Sequence, residues 1–439
     1  MESARGIAYK ILRDAAKRST FSNIALDREL SKCELSAVDR GLVTATVMGV
    51  TERALTLDAI IDSLAARPDE IDVDARALLR MGIYQIEFLD RIPDHAAVNE
   101  TVSLAPRRIK GFVNAILRSF LRARESGGID SIFPKKEKDI LGYLSLKYSF
   151  PKDVCREFLG IYGIERTMAI FEIFNGAPSM TLRINTLKVS REEYAKLLDS
   201  RGVAYEIPPA LDDAIILQSV SFADLPGVDE GYFFVQDIAS QMCVEALGAE
   251  AGDVVIDTCS CPGSKSFGTA IRMKNTGKIF SFDLHKSKLS LIEKGAGRLG
   301  IDIIKVGERD GRAPDKSLFG QADRVLCDVP CSGLGVIAKK PEIRYKSIEE
   351  FSRLPEIQYD ILSSSANYVK VGGYIVYSTC TVLPRENAEN IKRFLSERDD
   401  FEAVEFTVGG KSSVGGMLSL SPDTDHTDGF FISKMKRKG

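Results

Sequence analysis

From about residue 250 to the end of the chain, apolar strand-like runs alternate with segments of helical periodicity. This alternation is typical of a parallel sheet covered by helices. The predicted strands are 253–258, 278–283, 303–307, 324–329 and 373–378, and the predicted helices are 264–273, 285–299, 347–370 and 385–397. Strands at 401–406 and 429–435 complete a seven-stranded sheet, the last as an insert or an edge. Ligands of such sheets bind where the strands end at their carboxyl edge.

The remaining chain predicts further domains, because 439 residues are too many for one core. Residues 1–126 have helical periodicity, as in Val43, Val47 and Val50. A linker with a Gly pair and a Pro follows at 125–134. Residues 127–235 hold this linker and a small α+β segment, with strands at 180–184, 203–207, 214–217 and 232–235 and a helix at 191–200. We therefore expect domains at 1–126, 127–235 and 236–439.

Composition narrows the class of protein. No apolar run approaches the roughly 20 residues that cross a bilayer, and the first residues lack a signal-peptide core. The eight cysteines form no Cys-x-x-Cys pair, so we expect reduced thiols in a cytoplasmic protein. We also expect the protein to be a monomer. Cys259-x-Cys261 and Cys327-x3-Cys331 could be read as metal ligands, but with three histidines in the chain we expect no metal.

One basic segment stands out in a chain of net charge −3. It contains six cations and no acidic residue: Arg107, Arg108, Lys110, Arg118, Arg122 and Arg124. Most such runs are solvated helix faces. An unbalanced run can also contact the phosphates of a nucleic acid. Both interpretations stay open at this point.

The first predicted strand leads into a ligand-binding turn. Residues 253–265 combine a buried strand, a Gly-containing turn and the start of a helix, which places a ligand at the strand's carboxyl end. The turn is neither a Gly-x-Gly-x-x-Gly motif nor a phosphate loop. Asp283 ends the second strand, where an acid accepts hydrogen bonds from ribose hydroxyls, although it could also cap the next helix. A nucleoside without phosphates points to S-adenosylmethionine.

Two cysteines follow predicted strands of the same sheet. Cys331 lies in Asp-Val-Pro-Cys-Ser-Gly-Leu-Gly at 328–335, and Cys380 lies in Ser-Thr-Cys-Thr at 378–381. A free cysteine commonly packs as a small buried hydrophobe. Two cysteines at two such strand ends favour thiol chemistry on a flat substrate instead.

With these motifs the chain resembles the bacterial RNA cytosine-5 methyltransferases of the RsmB/Sun type over its whole length. The matching motifs lie at 79–86, 112–118, 182–186, 234–241, 257–265, 310–312, 328–333, 378–380, 384–387 and 428–431. The resemblance implies a class I methyltransferase domain with a Rossmann-like sheet, preceded by a NusB-like helical domain and a small α+β RNA-binding subdomain. It also implies 16S ribosomal RNA as the substrate.

The resemblance further assigns residues to roles. It implies that Cys380 attacks carbon 6 of cytosine and that Cys331 removes the carbon-5 proton, although the reverse order, as in DNA cytosine methyltransferases, stays open. Asp328 is expected to bind the base edge in a protonated form, and Lys265 to favour the thiolate. The expected cofactor-binding residues are Cys259, Ser260, Cys261, Pro262, Gly263, Ser264, Lys265, Asp283, Asp310 and Asp328; the expected RNA-binding residues are Arg107, Arg108, Lys110, Arg118 and Arg122.

One position departs from the family pattern. Ser264 stands where the family usually has glycine. If this position needs a positive φ, serine costs about 1 kcal/mol. The alternatives to the 16S reading are a methyltransferase for transfer RNA or another RNA, and a non-catalytic RNA-binding assembly factor.

Overall fold

The computed structural model describes residues 3–18, 26, 28–127, 129–209, 211–218 and 222–439. Gly128 of the predicted linker lies outside them. The chain forms two compact units. The first comprises Met1–Gly176 and Ile337–Ile348, and the second comprises Ala177–Val336 and Glu349–Gly439. The three domain boundaries expected from the sequence remain a prediction.

The first unit is built from helices. They span Ala4–Arg18, Ala37–Glu52, Ala54–Leu64, Val73–Phe88, Asp94–Leu104, Arg107–Gly127, Ile140–Tyr148 and Lys152–Phe174. Ser36, Asp72 and Asp139 define three of the starts, because each side chain accepts a hydrogen bond from a backbone N–H of the first turn. The predicted apolar stripe of Val43, Val47 and Val50 is buried in the core.

A segment from far along the chain completes this unit. Residues 337–348 contain a short 3₁₀ helix, Pro341–Tyr345. The fully buried Arg344 donates hydrogen bonds to the carbonyl oxygens of Glu52 and Phe174 and to the Asn175 side chain. These partners offset most of the cost of burying the guanidinium, although its Nε has no hydrogen-bond partner among the described residues.

The second unit begins with a small antiparallel sheet. Its strands are β1 (Met180–Ile184), β2 (Tyr205–Glu206), β3 (Ala214–Leu217) and β4 (Phe233–Val235), in the order β2-β3-β1-β4. The helix Arg191–Ser200 follows β1 and begins with a capping box between Ser190 and Glu193. The predicted β-α-β-β-β order is confirmed.

The large sheet follows. Its strands are β5 (Val254–Asp257), β6 (Lys278–Asp283), β7 (Ile304–Glu308), β8 (Ala322–Asp328), β9 (Val369–Thr379), β10 (Phe401–Ala403), β13 (Met417–Leu420) and β14 (Phe430–Arg437); β11 (Thr407–Val408) and β12 (Lys411–Ser412) form a separate hairpin. The order is β10-β14-β9-β8-β5-β6-β7, with β13 also paired to β14. Strands β5 to β9 are parallel, while β14 is antiparallel to β9. The predicted fold class is confirmed, but the sheet has eight strands rather than seven, because β13 was not predicted.

The helices of this unit cover the sheet. They span Ile238–Leu247, Ser264–Arg272, Lys286–Leu299, Leu354–Ala366, Ala388–Glu397 and the short Pro422–Asp425. The helix predicted at 347–370 is shorter, because residues 348–351 form a 3₁₀ turn and Pro355 fits only the first turn of the α-helix. No helix in the described ranges has both the length and the apolar character that a membrane span requires.

Candidate active site

The two predicted cysteines lie side by side. Strands β8 and β9 are parallel neighbours, and Asp328 pairs with Ser378 in their register. Cys331 therefore leaves the sheet at the same level as Cys380. The two Sγ atoms are 3.1 Å apart, and the backbone N–H of Cys380 donates to Sγ of Cys331 at 3.3 Å. Both residues are partly exposed.

The contact affects the acidity of one thiol. The hydrogen bond to Cys380 and burial, together with the negative charges that Cys380 and Glu386 can carry, raise the pKa of Cys331 well above its usual value. Cys331 therefore keeps its proton at neutral pH, and Cys380 lies at its hydrogen-bonding distance. A thiol that donates a hydrogen bond to a neighbouring sulfur stabilises negative charge on that sulfur.

Lys265 and Asp328 form an ion pair beside the cysteines. Lys265 Nζ lies 2.7 Å from Asp328 Oδ2, and the Ser378 hydroxyl donates to Asp328 Oδ1 at 2.6 Å. Burial disfavours the ammonium, but the Asp328 carboxylate and nearby thiols offset this effect and raise the pKa of Lys265. Lys265 is therefore an ammonium that lies close enough to Cys380 to interact with its charge.

The predicted cofactor turn joins the ends of β5 and β6. The Ser260 hydroxyl and backbone N–H both donate to the Phe282 carbonyl, at 2.9 and 2.8 Å. The Cys261 N–H donates to Asp283 Oδ2 at 3.2 Å. Pro262 lies in the same turn. Gly263 adopts φ 110° and is the N-cap of the helix that begins at Ser264. These bonds hold the turn at the carboxyl edge of the sheet.

The loop after β7 reaches the same turn. A side chain at Gly311 would place its Cβ 3.7 Å from Sγ of Cys259. Asp310 precedes this glycine and accepts hydrogen bonds from the backbone N–H, Nε and Nη2 of Arg312. These bonds lower the pKa of Asp310. Its carboxylate is thus already committed to a partner.

Asp283 ends β6 beside the predicted cofactor turn. Its Oδ1 accepts from the His285 N–H at 2.9 Å, and its Oδ2 accepts from Cys261. A carboxylate has about four acceptor positions, so further donors can still bind. The N-cap of the helix Lys286–Leu299 is His285 rather than Asp283, which makes the helix-cap alternative wrong.

Two acidic residues that were not predicted as site residues belong to this region. Asp257 ends β5 and is buried, with Ser266 donating to its Oδ2 at 2.6 Å; its Oδ1 has no hydrogen-bond partner among the described residues. Burial raises the pKa of Asp257 to about 7. Glu386 is also fully buried and contacts the loops of both cysteines. An acid at the end of an apolar strand could have identified Asp257, whereas for Glu386 the only signal in the sequence is its place in the family motif at 384–387.

The basic segment forms one face of the helix Arg107–Gly127 in the first unit. Four of its cations are exposed without a carboxylate in hydrogen-bonding contact among the described residues: Arg107, Lys110, Arg118 and Arg122. Arg108 instead pairs with Asp72 and Asp74, and Arg124 pairs with Asp94. The sequence therefore predicted more unpaired positive charge on this helix face than the structure shows. The carboxylates that pair with Arg108 and Arg124 belong to other segments of the unit and could not be identified from the basic segment itself.

A cavity of about 280 Å³ lies elsewhere in the second unit. None of the predicted site residues lines it. Its buried Arg183 pairs with Asp213 and Glu245, and Glu245 also binds Arg272. Within the described ranges, no group of three or more His, Cys, Asp or Glu side chains is arranged to hold a metal ion.

Three family models match the chain. The NusB family matches residues 2–122, the ferredoxin-like domain of RsmF/B-like methyltransferases matches 150–222, and the 16S rRNA methyltransferase RsmB/F matches 244–436. The two methyltransferase models together cover the β1–β4 sheet in part and nearly all of the large sheet. The predicted resemblance is confirmed.

Complete proteins are similar as well. A Synechocystis protein described as a probable ribosomal RNA small subunit methyltransferase B is 37% identical over 100% of both chains. The ribosomal RNA small subunit methyltransferase B of Cronobacter sakazakii is 32% identical over 92% of both chains. The protein in the crystal structure of PH0851 has 26% sequence identity with this chain, and the two structures superpose with a TM-score of 0.80 over 99% of both chains.

Proposed function

Because the chain belongs to the family of ribosomal RNA small subunit methyltransferase B, we propose that it methylates carbon 5 of a cytosine in 16S ribosomal RNA. The reaction uses S-adenosylmethionine and passes through a covalent bond between a cysteine and the base. The single observation that carries this proposal is the pair of thiols, Cys331 and Cys380, 3.1 Å apart at the ends of two parallel strands.

The surroundings of the pair support Cys380 as the nucleophile. Carbon 5 of cytosine becomes nucleophilic only after a thiolate adds to carbon 6. Cys331 keeps its proton because of its contact with Cys380 and its burial. A negative charge on Cys380 would be stabilised by the Cys331 thiol, whose Sγ is 3.1 Å away, and by the nearby Lys265 ammonium.

The same coupling suits Cys331 for the second step. Once Cys380 is bonded to carbon 6, it no longer carries a negative charge beside Cys331. The pKa of Cys331 then falls, its proton passes to solvent, and the resulting thiolate can take the proton from carbon 5. The electron pair of that C–H bond forms the 5,6 double bond, and Cys380 leaves as a thiolate. The methylated base and the enzyme thus separate, and Cys331 is again protonated.

Lys265 and Asp328 are proposed to handle the charge that develops on the base. Attack at carbon 6 places negative charge on the ring at N3, which needs a proton donor. The sequence suggested a protonated Asp328 for this role. The ion pair at 2.7 Å favours Lys265 as the donor instead, with Asp328 holding the ammonium in place and accepting from the base's amino group.

The residues of the turn after β5 fit a nucleoside cofactor. Asp283 has acceptor positions left for ribose hydroxyls, and within the described ranges the buried Oδ1 of Asp257 has no hydrogen-bond partner. Gly263 supplies the positive φ at the start of the helix, where a Cβ would lie 2.6 Å from the Phe267 ring. When bound, S-adenosylmethionine supplies the methyl group as an electrophile. The chain's own residues bind it and aim the base at it.

Covalent trapping tests the proposal. Cys331→Ala should methylate the cytosine but fail to release it, so a protein–RNA adduct stable to denaturing electrophoresis should accumulate with 16S RNA and S-adenosylmethionine. Cys380→Ala should form neither adduct nor product, and the double variant should behave in the same way. Cys327→Ala, which removes a buried thiol four positions before Cys331, is the matched control and should show no adduct.

The outcomes separate the alternatives. An adduct with Cys380→Ala and none with Cys331→Ala would reverse the two roles. Adduct from neither variant, with S-adenosylmethionine still bound, would refute the two-cysteine mechanism. A wild-type protein that binds RNA but never methylates it would favour an assembly factor, and methylation of transfer RNA instead of 16S RNA would overturn the proposed substrate.

A further inference from the structure

Glu386 is a buried carboxylate that contacts both cysteine loops. It lies in the 3₁₀ turn Pro384–Glu386, between β9 and the helix Ala388–Glu397. Its Oε2 accepts from the Ser332 N–H at 3.0 Å and from the Gln358 side-chain amide at 2.7 Å. Its Oε1 lies 3.5 Å from the Thr381 hydroxyl. These donors are neutral groups.

Ser332 and Thr381 directly follow the two cysteines in the sequence. Their hydroxyls lie 2.6 Å apart. One carboxylate and one hydroxyl pair therefore join the backbone after Cys331 to the backbone after Cys380. The loops are also joined by the contact between the thiols, by the Cys380 N–H, which donates to Sγ of Cys331, and by the Gly335 N–H, which donates to the Cys380 carbonyl at 3.0 Å.

The turn that carries Glu386 is itself attached to β9. The Tyr377 hydroxyl donates to the Glu386 carbonyl at 2.6 Å. Asn387 accepts from the Thr379 hydroxyl at 2.5 Å and donates to the Thr381 carbonyl at 3.0 Å. Alternate residues of β9 and its extension thus hold the turn, so the carboxylate has little freedom to move.

We propose that Glu386 is a positioning residue that keeps the thiols of Cys331 and Cys380 in the relative placement that the two-step reaction needs. This inference rests on the proposed function and deepens it. A buried carboxylate with neutral partners has a desolvation cost that an apolar side chain would avoid. The arrangement is therefore better explained by the loops that it joins than by stability alone.

The charge of Glu386 adds an effect that packing alone would not produce. The titratable groups that act on Cys331 are Cys380, after β9, and Glu386, in the following turn, while the Lys265–Asp328 pair lies beside Cys380. A negative charge near Cys331 favours its protonated form. Replacing the carboxylate by an amide should therefore lower the pKa of the Cys331 thiol.

Glu386→Gln is the first test. Glutamine keeps the size of the side chain, but one carboxylate oxygen becomes an NH₂ group that cannot accept from both loops. We expect kcat to fall about 10- to 100-fold, as for small misplacements of reacting groups, with KM for S-adenosylmethionine and RNA unchanged. The pH profile of Cys331 alkylation, followed by mass spectrometry, should shift to lower pH.

Two further variants make the test decisive. Glu397→Gln is the matched control, because Glu397 also accepts from a hydroxyl, that of Tyr359, but has no described contact with either cysteine loop. It should leave kcat and the alkylation profile unchanged. Thr381→Val removes the hydroxyl bridge between the loops, and we expect a smaller fall in kcat. This variant tests the inference if Glu386→Gln does not fold.

The results distinguish this inference from the proposed function. If wild-type protein methylates RNA but Glu386→Gln keeps full kcat and an unshifted alkylation profile, Glu386 is not a positioning residue. Where Glu386→Gln does not fold, the same result for Thr381→Val leads to the same conclusion. If the alkylation profile shifts while the wild type methylates no RNA, the proposed function fails and the effect of Glu386 on the thiols stands. Equal losses in Glu386→Gln and Glu397→Gln would also overturn the inference.

Discussion

Replacing Asp257 with asparagine should flatten the pH dependence of unfolding. Asp257 is buried at the end of β5, and burial raises its pKa from 3.8 to about 7. Between these two values the folded protein holds a proton that the unfolded chain has released. Stability from this group is therefore lost as the pH rises from about 4 to about 7, and it stays constant above that range.

The size of the effect follows from the shift. About three pKa units at about 1.4 kcal/mol each amount to about 4 kcal/mol between the acid and neutral limits. Roughly two of these units, or about 3 kcal/mol, fall between pH 5 and pH 7. Asparagine can still accept from Ser266 but carries no charge, so it removes this dependence while keeping the hydrogen bond.

The chain has no tryptophan, so circular dichroism during urea unfolding is the suitable measurement. The free energy of unfolding of Asp257→Asn relative to wild type should rise by about 3 kcal/mol from pH 5 to pH 7.5. Asp302→Asn, at an exposed carboxylate of the same unit, should follow the wild-type curve. Parallel curves for wild type and Asp257→Asn would refute the reasoning, because they would mean that Asp257 is not the group that titrates.

Two other predictions concern ligand contacts. Asp283→Ala should weaken S-adenosylmethionine binding about 10- to 100-fold in calorimetry, because a charge-assisted hydrogen bond is lost. Asp310→Ala should weaken this binding clearly less, since Asp310 is paired with Arg312. Equal losses of affinity in the two variants would contradict the assignment of Asp283 to the cofactor. The double change Arg118→Gln and Arg122→Gln should weaken RNA binding for all sequences and reduce the salt slope by about 2; an unchanged slope would make this helix face merely solvated.

The sequence predicted most strands of the large sheet because their apolar runs are long and uninterrupted. Strand β13 was missed because Met417–Leu420 is short and follows glycines at 415 and 416, which read as a loop. Its strand character comes from pairing with β14. Strand β9 likewise begins at Val369 rather than at the predicted 373, because Gly372 and Gly373 suggested a turn before it.

Residues of the site could be predicted from the sequence only where they lie at the end of a strand or shortly after it. Cys331, Cys380 and Asp283 follow strands, so parallel topology alone brings them to one edge. The hydrogen bonds of Glu386 and the burial of Arg344 in the helical unit join segments that are distant in the sequence. Neither has a periodic pattern or a local motif that would identify its partners. Such contacts depend on the packed fold and could not be read from the chain.

Ser264 shows how a local rule can fail for a physical reason. A serine where the family usually has glycine suggested a backbone cost of about 1 kcal/mol, on the premise that this position needs a positive φ. In the structure the positive φ of 110° belongs to Gly263, and Ser264 is the first residue of the helix that follows. A serine in helical conformation is not strained in this way. The turn therefore keeps its shape because the glycine that it needs is still present one residue earlier, and Ser264→Gly should leave S-adenosylmethionine affinity unchanged.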